Sequence, residues 1–271
     1  MAINVFLVKP ISRGKGMDGI GKAAYQSGEK LIYNSKVYNY SGRNDILHKE
    51  IFLPDNAPET FFDRQTLWSE AEKAEKRKDS RTAREILIPL ARELSTKSNI
   101  GLVKTFIEEH LLAHGICADL AIHRGDSKSK KNSDEDQARG LTEKRLHNPH
   151  AHILIVTRAV NPHGFERLKA RHWDKPEFII AWRDGWEYLQ NKLFERKGLN
   201  VRISYRSYKK QGIDREPTKH LGPVFAALER KGVRTRLGDV NREIEARNKA
   251  FEERDKPCKL RKPDRVRTLE K

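Results

Sequence analysis

Acidic residues are in short supply in this chain: 38 Asp and Glu stand against 55 Lys and Arg in 271 residues, a formal net charge of +17. A surface this basic attracts polyanions through long-range fields and counterion release, so nucleic acid is the first partner to consider. Cysteine is nearly absent. Only Cys117 and Cys258 occur, one in an apolar run and one in a charged tail, which excludes a disulfide framework and a cysteine zinc site. No stretch approaches the roughly 20 consecutive apolar residues that a membrane-spanning helix needs. The N-terminus also lacks the apolar core of a secretory signal. A cytoplasmic location without a membrane span is therefore expected. The length suits one large domain, or one domain with an appendage.

What is present centres on His147-Asn148-Pro149-His150-Ala151-His152-Ile153-Leu154-Ile155-Val156. The apolar run reads as a strand, and in a strand successive side chains point to opposite faces. His150 and His152 then share one face, with Ala151 and Ile153 on the other. A second apolar run, from Ile116 to Ile122, ends at His123. An antiparallel neighbour would bring that third imidazole to the same place. Three neutral imidazoles together are satisfied by a divalent cation, which keeps open positions for chemistry.

The rest of the chain alternates strands and helices. Residues 2–10 and 46–54 read as strands, and so do 82–90, with Glu85 near the entrance. Asp18 is placed to cap a helix containing Ala23, Ala24, Tyr25, Glu29 and Leu31, with small residues around the tyrosine. Tyr33, Tyr38 and Tyr40 fit a short hairpin. Residues 63–78 read as an amphipathic helix, and residues 98–114 as another that stops at Gly115. Residues 124–145 are polar and read as a mobile loop. Residues 176–197 read as a helix whose tryptophans belong to the core. The segment 201–212 reads as a short strand turning into a basic loop. There Arg206, Lys209 and Lys210 are interleaved with Tyr205 and Tyr208, a pattern suited to phosphate contact and base stacking. The loop after the first strand adds Arg13 and Lys15. A turn at 217–223 precedes a helix to about 231, and from 238 the chain reads as charged helix. Residues 255–271 read as a linker or tail.

With Tyr25, Ala83-Arg84-Glu85-Ile86, Asp119-Leu120-Ala121-Ile122-His123, Pro149-His150-Ala151-His152 and His220-Leu221-Gly222 in this order, the sequence resembles the MobA/MobL family of plasmid mobilisation relaxases. That family belongs to the larger class of histidine-hydrophobic-histidine nucleases. The resemblance runs over most of the chain. It implies an α+β fold: a central antiparallel β-sheet flanked by helices, relaxase-like or palm-like, with a helical basic C-terminal extension. The relaxase domain is expected over 1–228 and the charged extension over 229–271.

The resemblance also implies a chemistry. Such a protein nicks one DNA strand at an origin of transfer and stays joined to the cut end. Tyr25 would be the nucleophile that forms a 5′-phosphotyrosyl ester. His123, His150 and His152 would hold Mg2+ or Mn2+, although imidazoles alone suit manganese, zinc or nickel at least as well. Glu85 would orient a ligand histidine. Arg13, Lys15, Arg206, Lys209 and Lys210 would contact DNA. The expected partners are single-stranded DNA at the origin of transfer, accessory relaxosome proteins and the transfer apparatus. Two other readings use the same residues. A rolling-circle replication initiator shares the chemistry, and a non-catalytic nucleic-acid binder would leave Tyr25 an ordinary helix residue.

Overall fold

The structure is a computed structural model, and it describes residues 5–125 and 148–254. The chain divides into two compact units, one up to Tyr205 and one from Arg206. The first is built on a five-stranded sheet, with strands β1 (Leu7–Ser12), β4 (Ile46–Phe52), β5 (Arg81–Pro89), β6 (Ala118–His123) and β7 (His150–Val156). Their order is β1-β5-β7-β6-β4, and every pairing is antiparallel. The two histidine-bearing strands, β6 and β7, are neighbours in the sheet. The expected loop at 124–145 lies almost wholly outside the described residues, as does the tail at 255–271.

The pleat sorts β7 as alternation requires. Ala151, Ile153 and Ile155 point into one apolar cluster, which is filled by Leu102, Val103 and Phe106 of helix α3 (Thr96–His110) and by Trp182, Trp186 and Phe194 of helix α4 (Pro176–Arg196). Leu154 and Val156 point into a second cluster with Ile20, Ala23 and Ala24 of helix α1 (Gly19–Ser27) and Leu67 and Trp68 of helix α2 (Arg64–Lys73). The sheet is thus covered on both faces by helices. His150 and His152 fall on the face that carries α1 and α2.

That face also has a buried polar anchor. Asp119, two turns of pleat before His123, accepts from Arg64 Nε and Nη2 at 2.8 and 2.9 Å and from Trp68 Nε1 at 2.8 Å. Arg64 reaches on to Glu29 at 2.6 Å. Burial alone would lower the Arg64 pKa; the charges of Asp119 and Glu29 outweigh it and raise it. The guanidinium therefore stays charged and fastens α2 to the sheet.

Three expectations are corrected. The helix with Tyr25 ends at Ser27, because Gly28 takes the left-handed conformation (φ +64°), and Leu31 lies instead in strand β2 (Lys30–Tyr33). This strand pairs with β3 (Lys36–Asn39) through a turn at Asn34 and Ser35, both at positive φ, as a two-residue hairpin connection favours. The second helix likewise stops at Lys73 rather than 78. Residues 201–205 form no strand: Ile203 N–H and C=O bond the Asn191 side chain at 2.9 and 2.8 Å, and Tyr205 N–H donates to Glu187 at 2.7 Å. Polar side chains of α4 satisfy a backbone that the sequence pattern assigned to a ladder.

The second unit holds helices α5 (Gly222–Arg230) and α6 (Arg236–Arg254). Glu229 joins them, accepting from Thr235 N–H at 2.6 Å and from Arg242 at 2.8 Å. The boundary between the two compact units falls after Tyr205. Asn241 and Asn248 of α6 each grip an extended backbone residue from both sides, Lys219 and Glu216 respectively. Among the described residues, no helix is long and apolar enough to cross a membrane.

Candidate active site

Register brings the histidines together. His123 pairs directly with His150 across β6 and β7, and His152 stands opposite Ala121, two residues along the same face. Their ring centroids are 4.6 to 5.4 Å apart. One nitrogen from each ring lies within 4.8 Å of the others. Three atoms that close share a centre no more than about 2.8 Å from each, so a slight contraction reaches the roughly 2.0–2.3 Å of a metal–nitrogen bond. The group is able to hold a metal ion.

The protonation state of the rings also suits an ion. His152 Nδ1–H donates to Glu85 Oε1 at 2.6 Å, and His150 Nδ1–H donates to the Asn148 carbonyl at 2.8 Å. Both leave Nε2 with a lone pair, because an acceptor at one ring nitrogen fixes the proton there. Burial pushes the His123 imidazole down to about 4. Burial also lowers His152, more than Glu85 raises it. Burial would raise Glu85; its hydrogen bond from His152 and the charge of Lys22 outweigh this and hold it near 2. Neutral imidazoles at His123 and His152, beside an ionised carboxylate, suit a divalent cation.

Helix α1 lies against this cage. Its N-terminus is held by Asp18, whose Oδ1 accepts from Gly21 N–H at 2.7 Å, and by Gly19 N–H donating to Glu72 and Thr82 at 2.6 and 3.0 Å. These contacts satisfy helix-end amides that would otherwise be orphaned. Near the other end, Ala23, Ala24, Gln26 and Ser27 are buried while Tyr25 is 40% exposed. Gln26 touches the cage twice: its carbonyl accepts from His123 Nε2–H at 2.7 Å, and its Nε2 donates to Glu85 Oε1 at 2.7 Å. Lys22 completes the set, 3.0 Å from Glu85 and 5.4 Å from the Tyr25 ring centroid.

Four neighbours were not placed at the site by the sequence reading. Lys22 was findable, since it precedes Tyr25 by one helical turn. Gln26 adjoins Tyr25, but nothing in its type signals a tie to a histidine. Arg43 and Asp45 come from the segment before β4 and carry no periodic signal. Of the predicted DNA contacts, Lys15, Arg206, Lys209 and Lys210 are exposed, the last three in the second unit. Arg13 is committed elsewhere: its Nε, Nη1 and Nη2 donate to the Glu72 carboxylate and to the carbonyls of Glu72, Glu75 and Arg77. Here it fastens the loop before α1 to the end of α2.

Fold and site together define an α+β protein with a three-histidine cage on the face of an antiparallel sheet and a tyrosine-bearing helix beside it. The sequence profile of the MobA/MobL family matches residues 18–231, and the chain belongs to that family. Its relatives include the conjugal transfer protein TraA of Agrobacterium fabrum, 30% identical over 284 residues that cover 92% of this chain and 24% of the relative. The mobilization protein MobL of Acidithiobacillus ferridurans is 34% identical over 247 residues, covering 85% of this chain and 65% of that protein. A solved structure described as the molecular basis of vancomycin resistance transfer in Staphylococcus aureus superposes with a TM-score of 0.64 at 32% identity, covering 76% of this chain and all of that one. The chain spans about a quarter of the TraA relatives and about two thirds of MobL.

Proposed function

We propose that this chain is the DNA-nicking part of a relaxase, which cuts one strand at an origin of transfer by transesterification onto Tyr25. The observation that carries the reading is the union of helix and cage: Gln26, the residue after Tyr25, bonds both His123 and the carboxylate that orients His152. Nucleophile and phosphate site are thereby built as one piece, as near-attack geometry demands.

In the reaction a bond forms between the Tyr25 hydroxyl oxygen and phosphorus while the bond from phosphorus to the 3′-oxygen breaks. The phenolic proton passes to a base, the 3′-oxygen leaves with its electron pair and takes up a proton, and the 5′-phosphate stays on the tyrosine. Mg2+ or Mn2+ held by His123, His150 and His152 would neutralise charge that develops on the phosphate oxygens. Glu85 holds the proton on His152 Nδ1 and so directs Nε2 into the cage. Exposed Lys15, Arg206, Lys209 and Lys210 take phosphates along the strand. Single-stranded origin DNA is the substrate, with accessory relaxosome proteins and the transfer apparatus as further partners.

The test is a labelled single-stranded origin oligonucleotide incubated with protein and manganese, followed by denaturing electrophoresis. Wild type is expected to give a denaturation-resistant adduct and Tyr25→Phe none, with unchanged affinity for DNA. An adduct from Tyr25→Phe at the wild-type rate would refute the assignment.

A further inference from the structure

Among the described residues Arg43 is the cation nearest to the Tyr25 ring, and nothing in the transesterification as stated gives it a task. Its Cζ lies 4.2 Å from the Tyr25 ring centroid, and its Nη1 donates to the Tyr25 carbonyl at 2.9 Å. The same guanidinium is locked from the other side. Nε and Nη2 donate in parallel to the two carboxylate oxygens of Asp45, at 2.9 and 2.6 Å. Nη2 also stands 3.4 Å from His123 Nδ1. One planar group therefore touches the backbone of residue 25, the face of its ring and a ring of the cage. A two-pronged pair with a carboxylate is the geometry that holds a guanidinium rigid. Asp45 is itself fixed to the sheet: its carbonyl accepts from Arg124 N–H at 2.8 Å, and the next residue, Ile46, pairs with His123.

An exposed tyrosine near the end of a short helix has a freely turning χ1, which costs precision at a reacting atom. Here the ring is boxed in by Arg43 on its face and by Tyr40, whose ring stands edge-on with centroids 5.3 Å apart. We propose that Arg43 is a positioning residue for Tyr25: clamped by Asp45 and reaching His123 with the same guanidinium, it fixes the ring, so that the hydroxyl meets the phosphate in one orientation. The inference rests on Tyr25 being the nucleophile. Charge contributes as well. A fixed cation over the ring favours the electron-rich oxygen at which attack begins, and in the reverse step it favours departure of that oxygen.

The experiment is single-turnover adduct formation on single-stranded origin DNA with manganese, comparing wild type, Arg43→Gln, Arg43→Lys, Asp45→Asn and Tyr25→Phe. DNA affinity and melting temperature are measured on each. Arg43→Gln is expected to lower the rate at saturating DNA on the order of 100-fold, the cost of a misplaced nucleophile, while affinity stays within about twofold. Arg43→Lys keeps a cation but loses the fork on Asp45, and recovers at most part of the rate. Asp45→Asn loosens the clamp from the other side and lowers the same rate, which serves as the independent variant should Arg43→Gln fold poorly. A wild-type rate for Arg43→Gln or Arg43→Lys, or a loss confined to DNA affinity, would overturn the positioning role while leaving Tyr25 in place. An undiminished adduct from Tyr25→Phe would overturn the nucleophile, and this proposal with it.

Discussion

Asp119 sits on the histidine strand yet belongs to the scaffold, and its neighbourhood shows how costly the cage-bearing face would be to disturb. It is 3% exposed and accepts three hydrogen bonds, two from the buried Arg64 and one from Trp68. Asp119→Ala strands a buried guanidinium and an indole N–H, a loss of about 3–5 kcal/mol that urea unfolding would register. Asp119→Asn keeps the shape and an acceptor, and Arg64 retains Glu29, so a smaller loss is expected. Cys117, two residues earlier, gives a second residue-scale expectation. Burial pushes its thiol up to about 12. The native protein therefore keeps the thiol protonated across the mildly alkaline range, and stability drawn from that retention is present below the ordinary thiol pKa and lost as pH rises toward 12. Iodoacetamide at pH 9 should leave Cys117 unmodified in the native protein and modify it in denaturant, as peptide mapping would show; rapid native alkylation would contradict its burial.

At the scale of elements, helix α1 is set by its ends. Gly28 stops it at φ +64°, and a Cβ there would come within 2.3 Å of Ile46 Cδ1 on the strand that pairs with His123. Gly28→Ala combines a left-handed backbone with that collision and should cost about 1–3 kcal/mol. Its adduct rate should fall with its melting temperature, because the helix end carries Tyr25; an unchanged melting temperature would show that the strand yields freely. The elements were largely legible in the sequence, since the strands β5, β6 and β7 and the helix α3 have strong periods and clear caps or glycine stops. What was not legible has physical causes. Residues 201–205 have strand-like composition, but Asn191 and Glu187, ten or more positions away, take their backbone hydrogen bonds. The three histidines could be grouped because alternation within a strand is a local rule and an antiparallel neighbour brings the end of one strand to the start of the next. Glu85 was placed near them, yet the links through Gln26, Lys22 and Arg43 depend on side-chain directions that no spacing encodes.

Across the whole molecule the excess of positive charge is unevenly available, and this separates grip from construction. Arg13 was counted among the DNA contacts on sequence grounds, but its N–H groups are taken by Glu72 and three backbone carbonyls, and Glu72 is 1% exposed. Lys209 and Lys210 are exposed on a short turn of the second unit, Tyr208–Gln211. Binding to single-stranded DNA releases counterions, so the logarithm of affinity falls with the logarithm of salt by about 0.7 for each phosphate neutralised. Replacing Lys209 and Lys210 together with Ala should therefore flatten that slope by up to about 1.4 and leave the melting temperature unchanged. Arg13→Ala should do the reverse. It leaves the salt slope alone and lowers stability by about 1–3 kcal/mol, because a buried carboxylate and carbonyls lose their donors. Fluorescence anisotropy of a labelled oligonucleotide from low to moderate salt, with thermal melts on the same samples, measures both quantities. If Arg13→Ala flattened the slope and the double lysine variant did not, the DNA path would run over the loop before α1, and the lysines of the second unit would have no part in it.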